Sequence, residues 1–229
     1  MSEQPDPLDW LGAERQPGAT RVEFHEQLEA CRRKLVALAS VVAEGIVPVT
    51  NAFLEADTDA AEAYRRTDAE VQDGCVALED ACYLLLARQS PVGSDLRRVV
   101  ATIRCVTNVA RGSNLLEHVA AALAWVHPPA LPEQLRSTLR ELGEQAAAVY
   151  GRGVHAWREL DGLAAVELQR TDDEVDLLQK VLLTELYTGR QSTEETISLA
   201  LLARYFERIA DHGVELARQV TYVVTGERL

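Results

Sequence analysis

The feature that most constrains the fold is a helical spacing of apolar residues, which begins near Thr20 and continues almost to the end of the chain. Along its first stretch, apolar side chains recur at intervals of three and four residues, as on one buried face of an α-helix. These are Phe24, Leu28, Cys31, Leu35, Leu38 and Val42. Alanine, leucine and arginine, which lose little conformational freedom in a helix, are abundant. Pattern and composition therefore both predict helix.

Proline, glycine and polar clusters divide this periodic region into six predicted helices. Pro48 is expected to kink the first one. Ser90 or Ser94 is expected to cap the third, and Ser192 or Thr193, followed by glutamates, to open the sixth. The later helices are predicted at about 59–86, 95–125, 133–160, 163–187 and 192–224.

The helices fall into two halves. Three prolines at 128–132 mark the clearest boundary, and the hexapeptides at 66–71 and 170–175 are similar at an offset of 104 residues. Long helices joined by short turns pack as antiparallel bundles. We therefore predict an all-α fold of two tandem three-helix bundles, related by internal duplication. The expected boundaries are a mobile tail at 1–19, a first bundle at 20–127, a linker at 128–132 and a second bundle at 133–229.

The charge balance argues against several classes of function. The chain has a net charge of −13, whereas nucleic-acid binding relies on lysine and arginine to neutralise phosphates. The N-terminus lacks the basic start and apolar segment of a signal peptide. No apolar run is expected to reach the roughly 20 residues that span a bilayer. We therefore expect no membrane span, and a cytoplasmic protein that is at most peripheral at the inner face of the membrane through its partners.

The four cysteines lack the paired short spacings of a zinc site. Cys75 and Cys82 are seven residues apart, on one face of a helix with apolar neighbours. We expect small, buried, reduced side chains. The five histidines lie at unrelated places; only His212 is beside a candidate site, and it should point to a different face from its neighbour Asp211.

Two acid pairs are the strongest chemical signal. Glu207 and Asp211 lie at i and i+4 in the sixth helix, and Asp172 and Asp176 have the same spacing in the fifth. Each pair shares one helix face. If the two helices are neighbours, four carboxylates converge, and oxygen ligands of this kind suit magnesium, calcium, manganese or iron. The alternative is a set of solvated acids, with Arg208 and His212 as counter-charges.

Several segments together resemble the PhoU family. Residues 207–212 are similar to its repeated carboxylate signature, and 172–176 to the acidic start of its fifth helix. Residues 21–28 look like its opening, and 91–97 like the turn before its third helix. The resemblance covers about residues 20–225. Within the turn, Pro91 and Asp95 also suit any helix start, and Arg97 could bridge to Asp95.

The resemblance implies a fold, a role and partners. Members of this family are tandem three-helix bundles, often homodimers, without an attributed catalytic activity. They act with the phosphate ABC transporter, whose ATPase subunit is an expected partner, and with a phosphate-sensing histidine kinase. They restrain phosphate uptake and keep the starvation response off when phosphate is plentiful. Some members bind metal clusters through the carboxylate motifs, which implies a divalent or iron-type ion at Asp172, Asp176, Glu207 and Asp211.

The first half departs from this pattern. Aligning Arg111 with Arg208 places Ala110 opposite Glu207 and Asn114 opposite Asp211, and Gln72 replaces Asp176. Asp68, opposite Asp172, is the one acid retained. Because acids on two separate helices are lost together, the four positions are expected to form one site. That site should be intact in the second half and absent from the first, unless other nearby side chains partly substitute: Asp73, Glu117 and His118.

Two other classes of protein are alternatives. A ferritin-like di-metal enzyme would need a glutamate three residues before a histidine, twice, but Leu115 precedes His118 and Ile209 precedes His212. No phosphate-binding glycine loop or hydrolase nucleophile motif is present either. A helical, metal-binding adaptor of another pathway would share the same pattern, since fold does not fix function.

Overall fold

The computed structural model describes residues 21–227, and within them every side chain except those of residues 170 and 172. The predicted tail at 1–19 lies outside the described residues. The six helices are α1 (Arg21–Glu55), α2 (Thr58–Gln89), α3 (Gly93–Ala121), α4 (Glu133–Glu159), α5 (Ala164–Thr188) and α6 (Thr193–Thr225). Two 3₁₀ turns, Ala122–Ala124 and Pro128–Ala130, connect α3 to α4.

Local sequence signals predicted the cap of α6 correctly but not that of α3. Ser192 caps α6 in a capping box, accepting from the backbone N–H of Glu195 while the Glu195 carboxylate accepts from the N–H of Ser192. The predicted serine cap of α3 is wrong. Val92 is its N-cap residue and has no side-chain cap, because Ser90 adopts a left-handed conformation at the end of α2 and Ser94 already lies inside the helix.

Pro48 does not interrupt the first helix. Helix α1 runs continuously over 35 residues with Pro48 inside it. The flanking residues Val49, Thr50 and Ala52 are buried, and the Thr50 hydroxyl donates to the carbonyl oxygen of Ile46 at 2.7 Å. Tertiary packing on this face therefore outweighs the cost that proline carries in a helix interior.

The helices form the predicted pair of three-helix bundles, α1–α3 and α4–α6. The bundles join along two seams, α1 against α4 and α3 against α6. On the second seam, Asn108 meets His212 while His118 meets Tyr205, so the two helices run antiparallel. Each seam joins equivalent helices of the two halves, as expected for a duplicated unit packed against its own copy.

One expectation about hydropathy was wrong. Helix α1 contains an 18-residue window with a mean hydropathy of 1.7, long and apolar enough to cross a membrane by length and composition alone. The reason is that Glu44 is the single charged residue between Leu35 and Phe53. In the fold this helix packs against α2, α3 and α4, and 44% of the window is buried. Its apolar residues therefore serve the core of the first bundle.

The cysteines are buried and unpaired, as predicted. Burial raises the pKa of the Cys75 thiol to about 12. It also raises the pKa of Cys105 well above its usual range. Thiols of this kind are inert at neutral pH, since the thiolate is the reactive species.

Candidate carboxylate site between α5 and α6

The structure brings an acid of α5 next to an acid of α6. Asp211 is exposed on α6, and its pKa is raised by partial burial and by the nearby carboxylate of Asp176 on α5. The guanidinium groups of Arg204 and Arg208 act in the opposite direction. Two of the four predicted ligands therefore share one location on the outer surface of the second bundle.

Glu207 lies one turn before Asp211 and is 8% exposed. Its Oε1 atom forms an ion pair with Arg204 at 2.5 Å, an i,i+3 pair on the same helix. The predicted counter-charge for this acid, Arg208, is exposed and makes no such pair with it within the described residues. The i,i+3 spacing of Arg204 and Glu207 was visible in the sequence and could have identified the pair.

The fourth predicted ligand cannot be placed. The side chain of Asp172 lies outside the described part of the structure, although its backbone belongs to α5. Among the described residues, no group of three or more histidine, cysteine, aspartate or glutamate side chains is arranged to hold a metal ion. The four-ligand metal site therefore stays a prediction.

The equivalent positions of the first bundle also meet in space. Gln72 on α2 donates from Nε2 to Asp68 Oδ1 at 3.0 Å, and to the backbone carbonyl of Ala110 on α3 at 2.9 Å. An amide thus links α2 to α3 at the position that corresponds to Asp176 in the second bundle. Since a side-chain amide supplies a weaker ligand for a cation than a carboxylate, this arrangement fits a structural link better than an ion site.

The three side chains suggested as partial substitutes in the first half have other contacts or are exposed. Glu117 forms an ion pair with Arg65 of α2 at 3.3 Å. His118 stacks at a tilt on Tyr205, with the ring centroids 5.4 Å apart. Asp73 is exposed. These three side chains are not part of any metal-ligating group in the described part of the chain.

His212 points away from the acids, as its position beside Asp211 predicted. It is 8% exposed in the seam between α3 and α6, where its Nδ1 atom and Asn108 Oδ1 are 2.9 Å apart. Burial, with the guanidinium groups of Arg208 and Arg111, lowers the pKa of His212 to about 4. Sequence reasoning missed this bond, because no local pattern relates Asn108 to His212, which are 104 positions apart.

A bridge predicted at the start of α3 is replaced by another contact. Asp95 Oδ2 lies 3.2 Å from His25 Nε2 of α1, rather than pairing with Arg97. Arg97 instead packs against Gly226 at the end of α6, and its Nε atom is buried without a hydrogen-bond partner among the described residues.

The donor set fits a hard cation in part. Asp176 and Asp211 supply carboxylate oxygens, the ligands that divalent cations of the magnesium and calcium type prefer. Their mutual repulsion is the condition that a bound cation relieves. Arg204, however, already neutralises Glu207, so Glu207 would have to leave this arginine in order to act as a ligand.

Fold and site together define a class: a duplicated three-helix-bundle protein in which two acids, Asp176 and Asp211, lie near each other in one bundle. The PhoU domain family matches residues 35–123 and 139–220, one match in each half. Because these matches cover most of the chain, it belongs to the PhoU family.

Similarity to individual proteins agrees with this membership. The chain is 31% identical over 209 residues to the phosphate-specific transport system accessory protein PhoU homolog 2 of Mycobacterium tuberculosis, covering 90% of this chain and 98% of that protein. It is 26% identical to the PhoU homolog of Pseudomonas aeruginosa over 89% of this chain and 86% of that protein.

Solved structures share the fold. The crystal structure of PhoU from Pseudomonas aeruginosa superposes with a TM-score of 0.83 at 25% identity, covering 89% of this chain and all of that one (100%). That of the phosphate transport system regulatory protein PhoU from Streptococcus pneumoniae gives a TM-score of 0.81 over 90% of this chain and 99% of that one. At 22% identity, the second match supports the fold alone.

Proposed function

We propose that this protein is a negative regulator of phosphate uptake and of the phosphate-starvation response. It acts by contact with the ATPase subunit of a phosphate ABC transporter and with a phosphate-sensing histidine kinase, and not as an enzyme. The cell compartment that fits this role is the cytoplasm, with recruitment to the inner face of the membrane through these partners.

The observation that carries the proposal is the family match in both halves, together with relatives named as accessory proteins of the phosphate-specific transport system. The surface chemistry agrees with a binding protein. Several large apolar side chains on α5 and early α6 are exposed, as expected of surfaces that meet partners; they include Leu177, Tyr187, Ile197 and Leu201.

Deleting the gene and measuring two quantities in phosphate-rich medium tests this role. We expect faster phosphate uptake and derepressed starvation genes in the deletion strain, and the return of both to normal when the intact gene is restored. Unchanged uptake and expression in the deletion strain would contradict the proposal and favour an adaptor of another pathway.

We further propose that the acid cluster of the second bundle binds a divalent or iron-type cation. Asp176 and Asp211 would hold it, with Glu207 and Asp172 completing the set. The support is the raised pKa of Asp211 beside Asp176 and the joint loss of acids from the first half. A bound cation would supply positive charge that neutralises these carboxylates and stiffens the contact between α5 and α6.

Metal analysis of protein purified without chelator tests the cation. The variant Glu207→Ala/Asp211→Ala should lose metal that the wild type retains. The matched control is Glu141→Ala/Glu144→Ala, which removes two exposed acids from one face of α4 and should keep the metal. Equal, negligible metal content in all three proteins would contradict the proposed cation site.

A homodimer is also proposed, on the strength of the family resemblance and the exposed apolar residues of α5 and α6. Light scattering coupled to size-exclusion chromatography distinguishes a dimer from the 25.2 kDa monomer. A monomer at all accessible concentrations would contradict this.

A further inference from the structure

Helix α3 differs from the rest of this acidic protein in its charge. It contains four arginines and two acids, Asp95 and Glu117. Helix α2, by contrast, contains seven acids and three arginines, and α5 contains six acids and two basic residues. A helix with a net positive charge, packed against the strongly negative α2, stands out in a chain with a net charge of −13.

Three arginines of α3 lie on a single line. Arg97, Arg104 and Arg111 are seven residues apart, so they share one helix face at intervals of about 10 Å. We call these three residues the arginine strip. Arg104 and Arg111 are exposed and Arg97 is half-buried. The strip follows the seam with α6, since Arg97 packs against Gly226 and Asn108, one turn before Arg111, contacts His212.

The charges of the strip are not neutralised locally. Within the part of the chain that the structure describes, none of its guanidinium groups lies within 4.0 Å of a carboxylate. No exposed position of α3 carries an acid: Asp95 and Glu117 are partly buried and bind His25 and Arg65.

A comparison of the two halves shows where this imbalance lies. In α6, Arg208 is accompanied by Glu207 and Asp211, whereas its counterpart Arg111 is accompanied by Ala110 and Asn114. The strip therefore has two fewer acids beside it than the matching positions of α6.

We propose that the arginine strip is a docking surface for an acidic helix of a partner protein. Charge complementarity selects an anionic occupant, and a straight line of charges seven residues apart matches a helix with acids at the same spacing. The single row of arginines favours a helix over a membrane or a nucleic-acid duplex. Either of those would also extend over the acidic surface of the neighbouring helix α2, which would repel it. This docking surface is separate from the proposed function and does not depend on which pathway supplies the partner.

The experiment uses the full-length protein and a synthetic helical peptide with glutamate at every seventh position along one face, read by fluorescence anisotropy at low salt. A second peptide of the same composition, with its glutamates dispersed around the helix, tests spacing. We expect the first peptide to bind more tightly, and Arg104→Glu/Arg111→Glu to weaken its binding at least tenfold.

Two further variants distinguish the effect of the arginine strip on peptide binding from the effect of the total charge. Thr107→Glu/Asn114→Asp keeps every arginine but places acids beside Arg104 and Arg111 at exposed positions, and it should also weaken binding. Arg33→Glu/Arg190→Glu changes the net charge as much as the strip reversal, at exposed sites on α1 and in the turn before α6, and should bind within twofold of the wild type. Circular dichroism checks that each variant is folded.

Three results would overturn the proposal. One is no binding of the spaced peptide, or equal binding of both peptides. Another is equal weakening by the control reversal, which would indicate a general charge effect. The third is arginine-dependent binding of phosphatidylglycerol vesicles by the wild type, which would identify a membrane as the occupant.

Discussion

The stability of the seam between the bundles depends on pH through one buried histidine, His212. The pKa of His212 is lowered to about 4 from its usual 6.5, first by burial and then by Arg208 and Arg111. The unfolded chain therefore takes up a proton as the pH falls through 6.5, while the folded protein does so only near pH 4. The stability contributed by neutral His212 is complete above pH 6.5 and is lost as the pH falls toward 4.

We predict that His212→Gln removes a pH-dependent contribution of about 3 kcal/mol between pH 7 and pH 4. Glutamine can still donate to Asn108 Oδ1 but does not titrate. The measurement is the free energy of unfolding in urea across this range, compared with His155→Gln, which alters an exposed histidine of α4. If both variants follow the pH profile of the wild type, the assignment to His212 is wrong.

The sequence predicts the individual helices better than it predicts the contacts between them. The helix boundaries agree because proline and glycine interrupt an otherwise continuous apolar spacing. Helix α1 continues through Pro48, since buried neighbours, which local propensity does not describe, stabilise it. The approach of Asp176 to Asp211 followed from comparing the two halves. The Asn108–His212 contact did not, because it depends on how the two bundles dock. The Arg204–Glu207 pair could have been predicted from its i,i+3 spacing within one helix.

Helices α4 and α6 cross at a pair of glycines. A Cβ atom added at Gly213 would lie 2.5 Å from Tyr150 Cα, and one added at Gly153 would overlap the carbonyl oxygen of Gly213. Backbone atoms cannot move aside as a flexible side chain can. The crossing therefore depends on residues without side chains.

Gly213→Ala is predicted to lower the free energy of unfolding by about 2 kcal/mol or more through overpacking. Gly151→Ala is the control on α4, since its Cβ would meet nothing within 4 Å; better helix propensity should raise the stability by about 1 kcal/mol. Urea unfolding of the two variants measures both. A loss of stability in Gly151→Ala equal to that in Gly213→Ala would contradict the account of the crossing.

At the scale of the whole molecule, duplication has given two similar bundles different surfaces. The second keeps its acids, while the first replaces them with Gln72, Ala110 and Asn114 and exposes arginines instead. Polar contacts also join the halves. Arg32 of α1 donates from one nitrogen to the backbone carbonyls of Trp157 and Arg158, each at 2.8 Å, at the end of α4.

We predict that Arg32→Met lowers the free energy of unfolding by about 2 kcal/mol, because it leaves carbonyls at the end of α4 without their charged donor. The neighbouring Arg33 is exposed, and Arg33→Met should change the stability by less than about 0.5 kcal/mol. Thermal or urea unfolding of the two variants measures both changes in stability. Equal effects of the two substitutions would show that Arg32 does not join the bundles in solution.

The proposed role requires this protein to bind to the phosphate-uptake and phosphate-sensing machinery. The most direct test is interferometry with the purified full-length protein, against the phosphate ABC transporter and the sensor kinase of the same organism in lipid nanodiscs with phosphate present. We expect saturable binding to at least one of them, and none to empty nanodiscs. If neither binds, the proposed role is wrong.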